Sequence, residues 1–379
     1  MRIAIVHSFY VSGTPSGENL AVLREAEALT GAGHDVKVIA RNTDDLVTSK
    51  LYTLTSAVRV ATGWGGDPSD ELKKFNPDVT HVHNLFPNIG TAWLNQWEGP
   101  LVATLHNFRP LCANGILFRD GAACTECPDG SVLNSLKHSC YRDSKVATLP
   151  LTIANRGGLQ RNRLLQRADK IIALSDRVKS IYEKYGLSDQ RLALIPNGVD
   201  VAPPDIPGSP RSSNWVAVGR LTPEKGFGSL AREWPPELRR TLDIYGNGPE
   251  LDLISNLAKT NIRVRGAIPN ADVMTALPEY TGLILASKWF EGATPLTVLE
   301  ALGSGLPVIA HDGNSAADFL MKHEPTWVYD GSRTSLVNAL NSIESRGNEA
   351  RTRARQLFDA EFSLAIWVKR LEALFSSVL

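Results

Sequence analysis

The chain has 379 residues, 40 Lys and Arg against 40 Asp and Glu, eight His, and 43% hydrophobic residues. Zero net charge excludes a dedicated nucleic-acid binder, which needs an excess of phosphate-neutralising cations, and the ordinary apolar content excludes a disordered chain. No apolar run approaches the roughly 18 residues of a membrane span, and the length favours two domains of ordinary size.

The neutral total hides a segregation. Net charge is −4 over residues 1–129, +7 over residues 130–191 and −3 over residues 192–379. A basic stretch of that size points to a local anionic partner, with a solvated face as the plain alternative.

The sequence enters a strand pattern at Ile3–His7, without the layout of a signal peptide, so a cytoplasmic location is expected. Asn19–Gly33 then has helical spacing through Leu20, Leu23, Ala26 and Leu29, and Val36–Ala40 opens the next strand. Short apolar runs follow at Val79–Val82, Leu101–Leu105, Lys170–Ala173 and Leu192–Ile195. Pro203, Pro204, Pro207, Gly208, Ser209 and Pro210 read as a linker, which sets a boundary near residues 200–212. The alternation restarts at Trp215–Val218, Leu242–Tyr245, Ile262–Val264, Leu283–Ala286 and Pro307–Ala310, and the segment Phe362–Leu379 is amphipathic. The pattern predicts an α/β chain of two facing Rossmann-like domains with a deep interdomain cleft. These cover residues 1–200, with a Cys-containing insert at 110–142, and residues 213–361. A helix at 362–379 is expected to pack back on the N-terminal domain.

Three loops carry candidate chemistry. Val11-Ser12-Gly13-Thr14-Pro15-Ser16-Gly17-Glu18-Asn19 lies between the first strand and its helix, where glycine lets backbone N–H groups approach an anion, with a plain βα turn as the alternative. Its spacing is not Gly-x-Gly-x-x-Gly, which weakens a dinucleotide reading. Gly219-Arg220-Leu221-Thr222-Pro223-Glu224-Lys225-Gly226 places two cations five residues apart after a strand, a pattern able to hold a diphosphate. Two solvated surface cations are the bland alternative. In Glu291-Gly292-Ala293-Thr294-Pro295-Leu296-Thr297, Thr294 is a candidate N-cap and Pro295 a first helical residue. Free N–H groups near Leu296 and Thr297 would then lie beside Glu291 and Glu300, carboxylates suited to sugar hydroxyls or simply to the helix dipole.

With Gly33-His34-Asp35-Val36, Thr104-Leu105-His106-Asn107, Asn197-Gly198-Val199-Asp200 and Gly246-Asn247-Gly248-Pro249, these loops resemble glycosyltransferase family 4 over nearly the whole chain. The segment Cys112–Gly121 is similar to bacterial polysaccharide and glycolipid members. The resemblance implies a GT-B fold and a retaining hexosyltransferase using a UDP- or GDP-sugar, with a saccharide or polyprenyl-linked acceptor and no nucleic acid. It implies that Arg220 and Lys225, with Gly219, hold the donor diphosphate, and that Gly17 lies near the phosphates. Asn247 and Ile268 would flank the base. Glu291 and the following Gly292, Ala293 and Thr294 would meet the donor sugar, Glu300 the ribose, and His106 the transferred sugar. Asn84, Arg109, Arg161 and Arg163 are the acceptor-side candidates. Eight residues separate Glu291 from Glu300 where the family usually has seven, and Ser16-Gly17 replaces a common glycine pair. The absence of an Asp-x-Asp motif implies that the leaving diphosphate is stabilised by cations without a metal cofactor. Other readings are a GT-B nucleotide-sugar 2-epimerase and a non-catalytic nucleotide- or sugar-binding protein.

Cys112, Cys124, Cys127 and Cys140 lie within 29 residues and have ligand spacing, so a structural Zn²⁺ is one reading; reduced thiols or a disulfide are the others. His81 and His83 share a strand face, with no third ligand evident. Arg156, Arg161, Arg163, Arg167 and Lys170 suggest a helix over Asn155–Lys170 with Leu159, Leu164 and Leu165 opposite. Such a helix would rest on an anionic membrane surface at its inner face or grip a lipid-pyrophosphate acceptor.

Overall fold

The computed structural model describes residues 1–13, 16–202, 214–236 and 240–379. The linker prolines at 203–210 and Thr14-Pro15 of the first loop lie outside the described residues.

The chain divides into two compact units, the first formed by Met1–Arg119, Cys124–Asn197 and Trp367–Leu379, the second mainly by Gly198–Ile366. Sheet one holds strands β1 (Arg2–Phe9), β2 (Asp35–Asn42), β3 (Val79–Asn84), β4 (Leu101–Leu105), β5 (Lys170–Ala173) and β6 (Leu192–Leu194) in the order β2-β1-β3-β4-β5-β6. All its pairings are parallel, with Ile3 opposite Val36 and Ile5 opposite His81. β3 and β4 are buried on both faces. That is why such strands read as continuous apolar runs rather than as alternation. Helix α1 (Gly17–Gly31) follows β1, capped by the Ser16 side chain, which accepts from the Asn19 N–H.

Sheet two holds β7 (Asn214–Val218), β8 (Thr241–Tyr245), β9 (Ile262–Gly266), β10 (Gly282–Leu285), β11 (Val308–His311) and β12 (Val328–Tyr329) in the order β9-β8-β7-β10-β11-β12, again parallel. Trp215, Trp234, Trp327 and Phe358 are fully buried in its core. The strand order reverses between β1 and β3 in sheet one and between β7 and β10 in sheet two. Ligands of open parallel sheets bind at the carboxyl ends of strands at such points.

Four further helices matter below: α2 (Tyr52–Thr62), α3 (Lys145–Ala154), α4 (Arg163–Arg167) and α5 (Leu296–Gly303). The expected basic helix over Asn155–Lys170 does not form. Gly157 and Gly158 have φ of 90° and 64°, a left-handed turn that ends α3 and leaves a short 3₁₀ turn and the five-residue α4. The last helix, α6, spans Leu364–Ser376. Within the first unit its Phe375 ring lies 5.4 Å from His81, and Glu372 Oε1 accepts from His34 Nε2 at 2.9 Å.

Candidate functional site

In the first unit the carboxyl ends of β1, β3 and β4 gather histidines around one buried carboxylate. His81 Nδ1 donates to Glu25 Oε1 at 2.6 Å, and His81 Nε2 meets Thr104 Oγ1 at 2.7 Å. His83 Nε2 lies 3.4 Å from the same Glu25 oxygen, while His83 Nδ1 is 2.8 Å from His106 Nε2. His7 Nε2 reaches Asn19 Oδ1 at 3.0 Å. Burial alone would raise the Glu25 carboxyl, but His81 and His83 outweigh it and hold it well below the usual carboxylate range. Burial lowers the pKa of His106, of His83 and of His7, the last to about 3, so these rings are neutral at pH 7.

Glu25 supplies the third donor that sequence spacing alone does not reveal beside His81 and His83. The three ligating atoms lie within 4.8 Å of one another. The four cysteines are free and half-buried, and their sulfurs do not form such a convergent group among the described residues. They are nonetheless neighbours: burial first, then Cys112, Cys140 and Cys124, push the Cys127 thiol up to about 11.

His83 and His106 border a cavity of about 410 Å³ that is also lined by Asn84, Arg109, Arg161 and Arg163. Arg59 and Arg156 complete a wall that contains no carboxylate among the described residues. The Arg109 guanidinium lies 4.0 Å from the centre of the Phe86 ring and donates to the Ala113 carbonyl at 3.2 Å. Arg163 is held by the Thr62 carbonyl at 2.9 Å and by Thr91 Oγ1 at 3.2 Å. Asn84 donates to the Tyr10 hydroxyl at 2.8 Å. Gly17 is exposed at the start of α1, and Glu18 beside it is half-buried. Its Oε1 finds no partner among the described residues, and Asn107 reaches Oε2 at 3.5 Å. Burial, opposed by Arg109, raises the Glu18 carboxyl to about 7. The sequence places Glu18 in the first candidate loop but gives neither it nor Glu25 a role; both need the sheet to place their neighbours.

In the second unit the loop after β7 rests on the turn after β8. The Gly219 N–H donates to the Tyr245 carbonyl and the Leu221 N–H to that of Asn247. Gly246 and Gly248 make the approach feasible, because a Cβ on either would collide with the carbonyls of Gly219 and Leu221. Asn247 is exposed, and Ile268 packs half-buried against the core. Lys225 Nζ donates to Glu291 Oε1 at 2.9 Å and sits 5.5 Å from the Trp289 ring centre. Glu291 is only 5% exposed and has φ of 46°, a left-handed conformation that costs a residue with a Cβ about 1–2 kcal/mol. Arg220 is exposed and makes no ion pair among the described residues.

α5 begins at Leu296 with Pro295 as its N-cap, one residue later than expected, so Thr294 is not the cap. The Pro295 carbonyl accepts from the Val298 and Leu299 N–H groups, which leaves those of Leu296 and Thr297 ahead of the helical ladder. Gly292 and Thr294 are buried, Ala293 half-buried with its carbonyl accepting from Ser315 Oγ at 3.0 Å, and Glu300 is buried inside α5. The structure thus brings Lys225 and Glu291 into contact, and groups His106 with Asn84, Arg109, Arg161 and Arg163 around the cavity.

Two parallel six-stranded sheets with these strand-end loops define a GT-B glycosyltransferase fold. The family described as Glycosyltransferase Family 4 matches residues 15–203, and Glycosyl transferases group 1 matches residues 212–345. The chain belongs to glycosyltransferase family 4. It is 26% identical to a phosphatidyl-myo-inositol mannosyltransferase of Mycolicibacterium smegmatis over 91% of this chain and 86% of that protein. An exopolysaccharide phosphotransferase of Streptomyces coelicolor is 27% identical over 59% of this chain. The chain spans 25% of that protein, and 45% and 40% of two further glycosyltransferase relatives from Haemophilus influenzae and Streptococcus pneumoniae. Among solved structures, Anabaena HepE in complex with UDP and glucose superposes with a TM-score of 0.62 at 15% identity, covering both chains fully. The sucrose-phosphate synthase of Thermosynechococcus elongatus gives 0.69 at 16% identity, over 99% of this chain and 98% of that one.

Proposed function

We propose that this chain is a retaining glycosyltransferase that moves a hexosyl group from a UDP- or GDP-sugar to a saccharide or polyprenyl-linked saccharide, without a metal at the diphosphate. The observation that carries this reading is the Lys225–Glu291 pair, with Glu291 held at φ of 46° beside the reversal point of sheet two. A buried carboxylate in a costly backbone conformation is a mark of a functional loop. UDP and UDP-glucose complexes of HepE, a structural neighbour, support a nucleotide-sugar donor.

In this reaction the bond from the anomeric carbon to the β-phosphate oxygen breaks with its electron pair leaving on the phosphate. An acceptor hydroxyl forms the new bond on the same face and gives its proton to the departing phosphate. Arg220 and Lys225 offset the charge that develops there, together with the N–H groups at the start of α5. His106, neutral at pH 7, presents a polar ring to the transferred sugar. No helix among the described residues is long and apolar enough to cross a membrane. We place the protein in the cytoplasm, at the inner face of a membrane.

Incubation with UDP- and GDP-sugars in chelator, with a panel of soluble and lipid-linked acceptors, tests the reading. Product with the donor's anomeric configuration is expected. Epimerised donor without transfer, or full dependence on added Mg²⁺ or Mn²⁺, refutes it.

A further inference from the structure

We propose that α2 and α3 form a docking face for an anionic bilayer, which places the arginine-lined cavity at the membrane surface; this rests on the acceptor reading above and deepens it. α2 buries none of its residues. Leu51, Leu54 and Val58 are 62%, 63% and 51% exposed, at i, i+3 and i+7. α3, which packs against α2, repeats the pattern with Val146, Leu149 and Ile153, 82%, 46% and 41% exposed at the same spacing. Trp64, just beyond α2, is 70% exposed. Scattered surface leucines need no explanation, but two helices that pack together and each leave an apolar stripe exposed are of the kind that marks an interaction surface.

Charge selects the occupant. Residues 46–66 contain Lys50 and Arg59 and no Asp or Glu, and residues 144–168 contain Lys145, Arg156, Arg161, Arg163 and Arg167 and no Asp or Glu. Asp45, Asp67, Asp143 and Asp169 stand just outside these segments, so the cationic excess is local to them. Apolar side chains with cations among them match the boundary between acyl chains and anionic headgroups, with tryptophan at that depth. Helices of 11 and 10 residues are too short to span and suit lying in the interface. The two stripes also lead to the cavity. Arg59 on α2, and Ile153 and Arg156 at and just beyond the end of α3, line its wall. A lipid-linked phosphate or diphosphate can therefore keep its chain in the bilayer while its headgroup meets the arginines.

The test uses the full chain with vesicles of phosphatidylcholine alone or with phosphatidylglycerol added. Sedimentation with the anionic vesicles is expected to exceed that with neutral ones and to weaken with salt. The double variant Leu54→Glu/Val146→Glu, both sites outside the cavity, is expected to lower vesicle partitioning about tenfold or more. Its melting temperature should match that of the parent, since neither side chain is buried. Vesicles should also shift the tryptophan emission to the blue, and Trp64→Phe should abolish that shift. Equal sedimentation of parent and double variant overturns the proposal, as does a parent that stays in the supernatant. A parent dimer that light scattering finds dissociated in the double variant also overturns it, because a second copy then covers the face. Donor binding measured by calorimetry without vesicles keeps the two readings apart. Its loss with vesicle binding intact refutes the transferase alone.

Discussion

His83 Nδ1 and His106 Nε2 are 2.8 Å apart, and the far nitrogen of His83 faces the Glu25 carboxylate at 3.4 Å. The carboxylate favours the proton on His83 Nε2, which makes His83 Nδ1 the acceptor and His106 Nε2–H the donor. Glu25 and His83 thus fix the tautomer of the ring at the cavity. His83→Phe is expected to lower turnover roughly 10- to 100-fold with little change in donor KM, by analogy with loss of an orienting partner. Steady-state kinetics with saturating acceptor check the split. A rise in KM at unchanged turnover would contradict a positioning role.

The same histidines set the acid limit of stability. His7 stays neutral in the folded chain down to about pH 3, whereas an unfolded histidine protonates near 6.5. As pH falls below 6.5 the unfolded chain therefore takes up the proton and the folded chain does not. Stability is whole above pH 6.5 and declines between 6.5 and 3, by about 1.4 kcal/mol per pH unit for each such ring. His83 and His106 act in the same direction. Denaturant midpoints at pH 7.5, 6 and 5 should fall steadily, and His7→Asn should make that fall shallower.

In the second unit, Lys225 and Glu291 separate a stability effect from a catalytic one. Lys225→Ala leaves the Glu291 carboxylate buried without its 2.9 Å partner, a change expected to cost about 3 kcal/mol. Arg220 is exposed, so Arg220→Ala should leave the melting temperature in place. Both should lower sugar transfer by roughly 10²-fold or more, the scale of a lost charge-stabilising donor. Unchanged transfer by purified Arg220→Ala would remove that residue from the diphosphate site.

What the sequence shows and what it hides follow from contact range. Parallel strands buried on both faces appear as apolar runs, so Ile3–His7 is recognisable inside Arg2–Phe9 and Trp215–Val218 inside Asn214–Val218. The Gly246-Asn247-Gly248 turn is visible because only glycine tolerates the close carbonyls there. The leucine spacing near residue 160 suggests a helix, but two adjacent left-handed glycines interrupt it. Arg156, Arg161 and Arg163 instead line a cavity, with Arg163 reaching the Thr62 carbonyl 101 residues away, whereas Arg167 and Lys170 donate to the carbonyls of Trp97, Gly99 and Gln190. Glu25 and His81 meet across 56 residues, and no local pattern encodes that. The exposed apolar stripes of α2 and α3 escape notice for another reason: at helical spacing, apolar residues ordinarily mean core, and only burial shows that these are not.

The cysteine cluster makes a separate prediction. Four half-buried thiols that perturb one another would have to move their sulfurs together to hold Zn²⁺, which binds four thiolates at about 2.3 Å. We expect about one equivalent of zinc in protein prepared without chelator, and a lower melting temperature after its removal. Cys127→Ser should lose both the metal and that difference. Metal analysis showing zinc well below one equivalent would leave the segment as reduced thiols.

Glu18 is predicted to govern pH dependence near neutrality. Its carboxyl rises to about 7, against an ordinary glutamate value near 4.3, so between these limits the folded chain binds the proton that the unfolded chain releases. Stability attached to this group is full at low pH and declines as pH rises toward 7, the reverse of the histidine effect. Glu18→Gln, which cannot ionise, should match the parent at pH 4.5 and exceed its stability at pH 7.5 by about 3 kcal/mol. The Glu18 carboxyl also feels Arg109, Asn107 and Asn84, all three of which line the cavity. If acceptor binding needs the ionised form, the pH profile of kcat/KM for acceptor rises through an apparent pKa near 7, and Glu18→Gln flattens it. A variant that keeps the rise would assign that titration to another group, whereas stability curves that run parallel from pH 4.5 to 7.5 would show that Glu18 ionises normally.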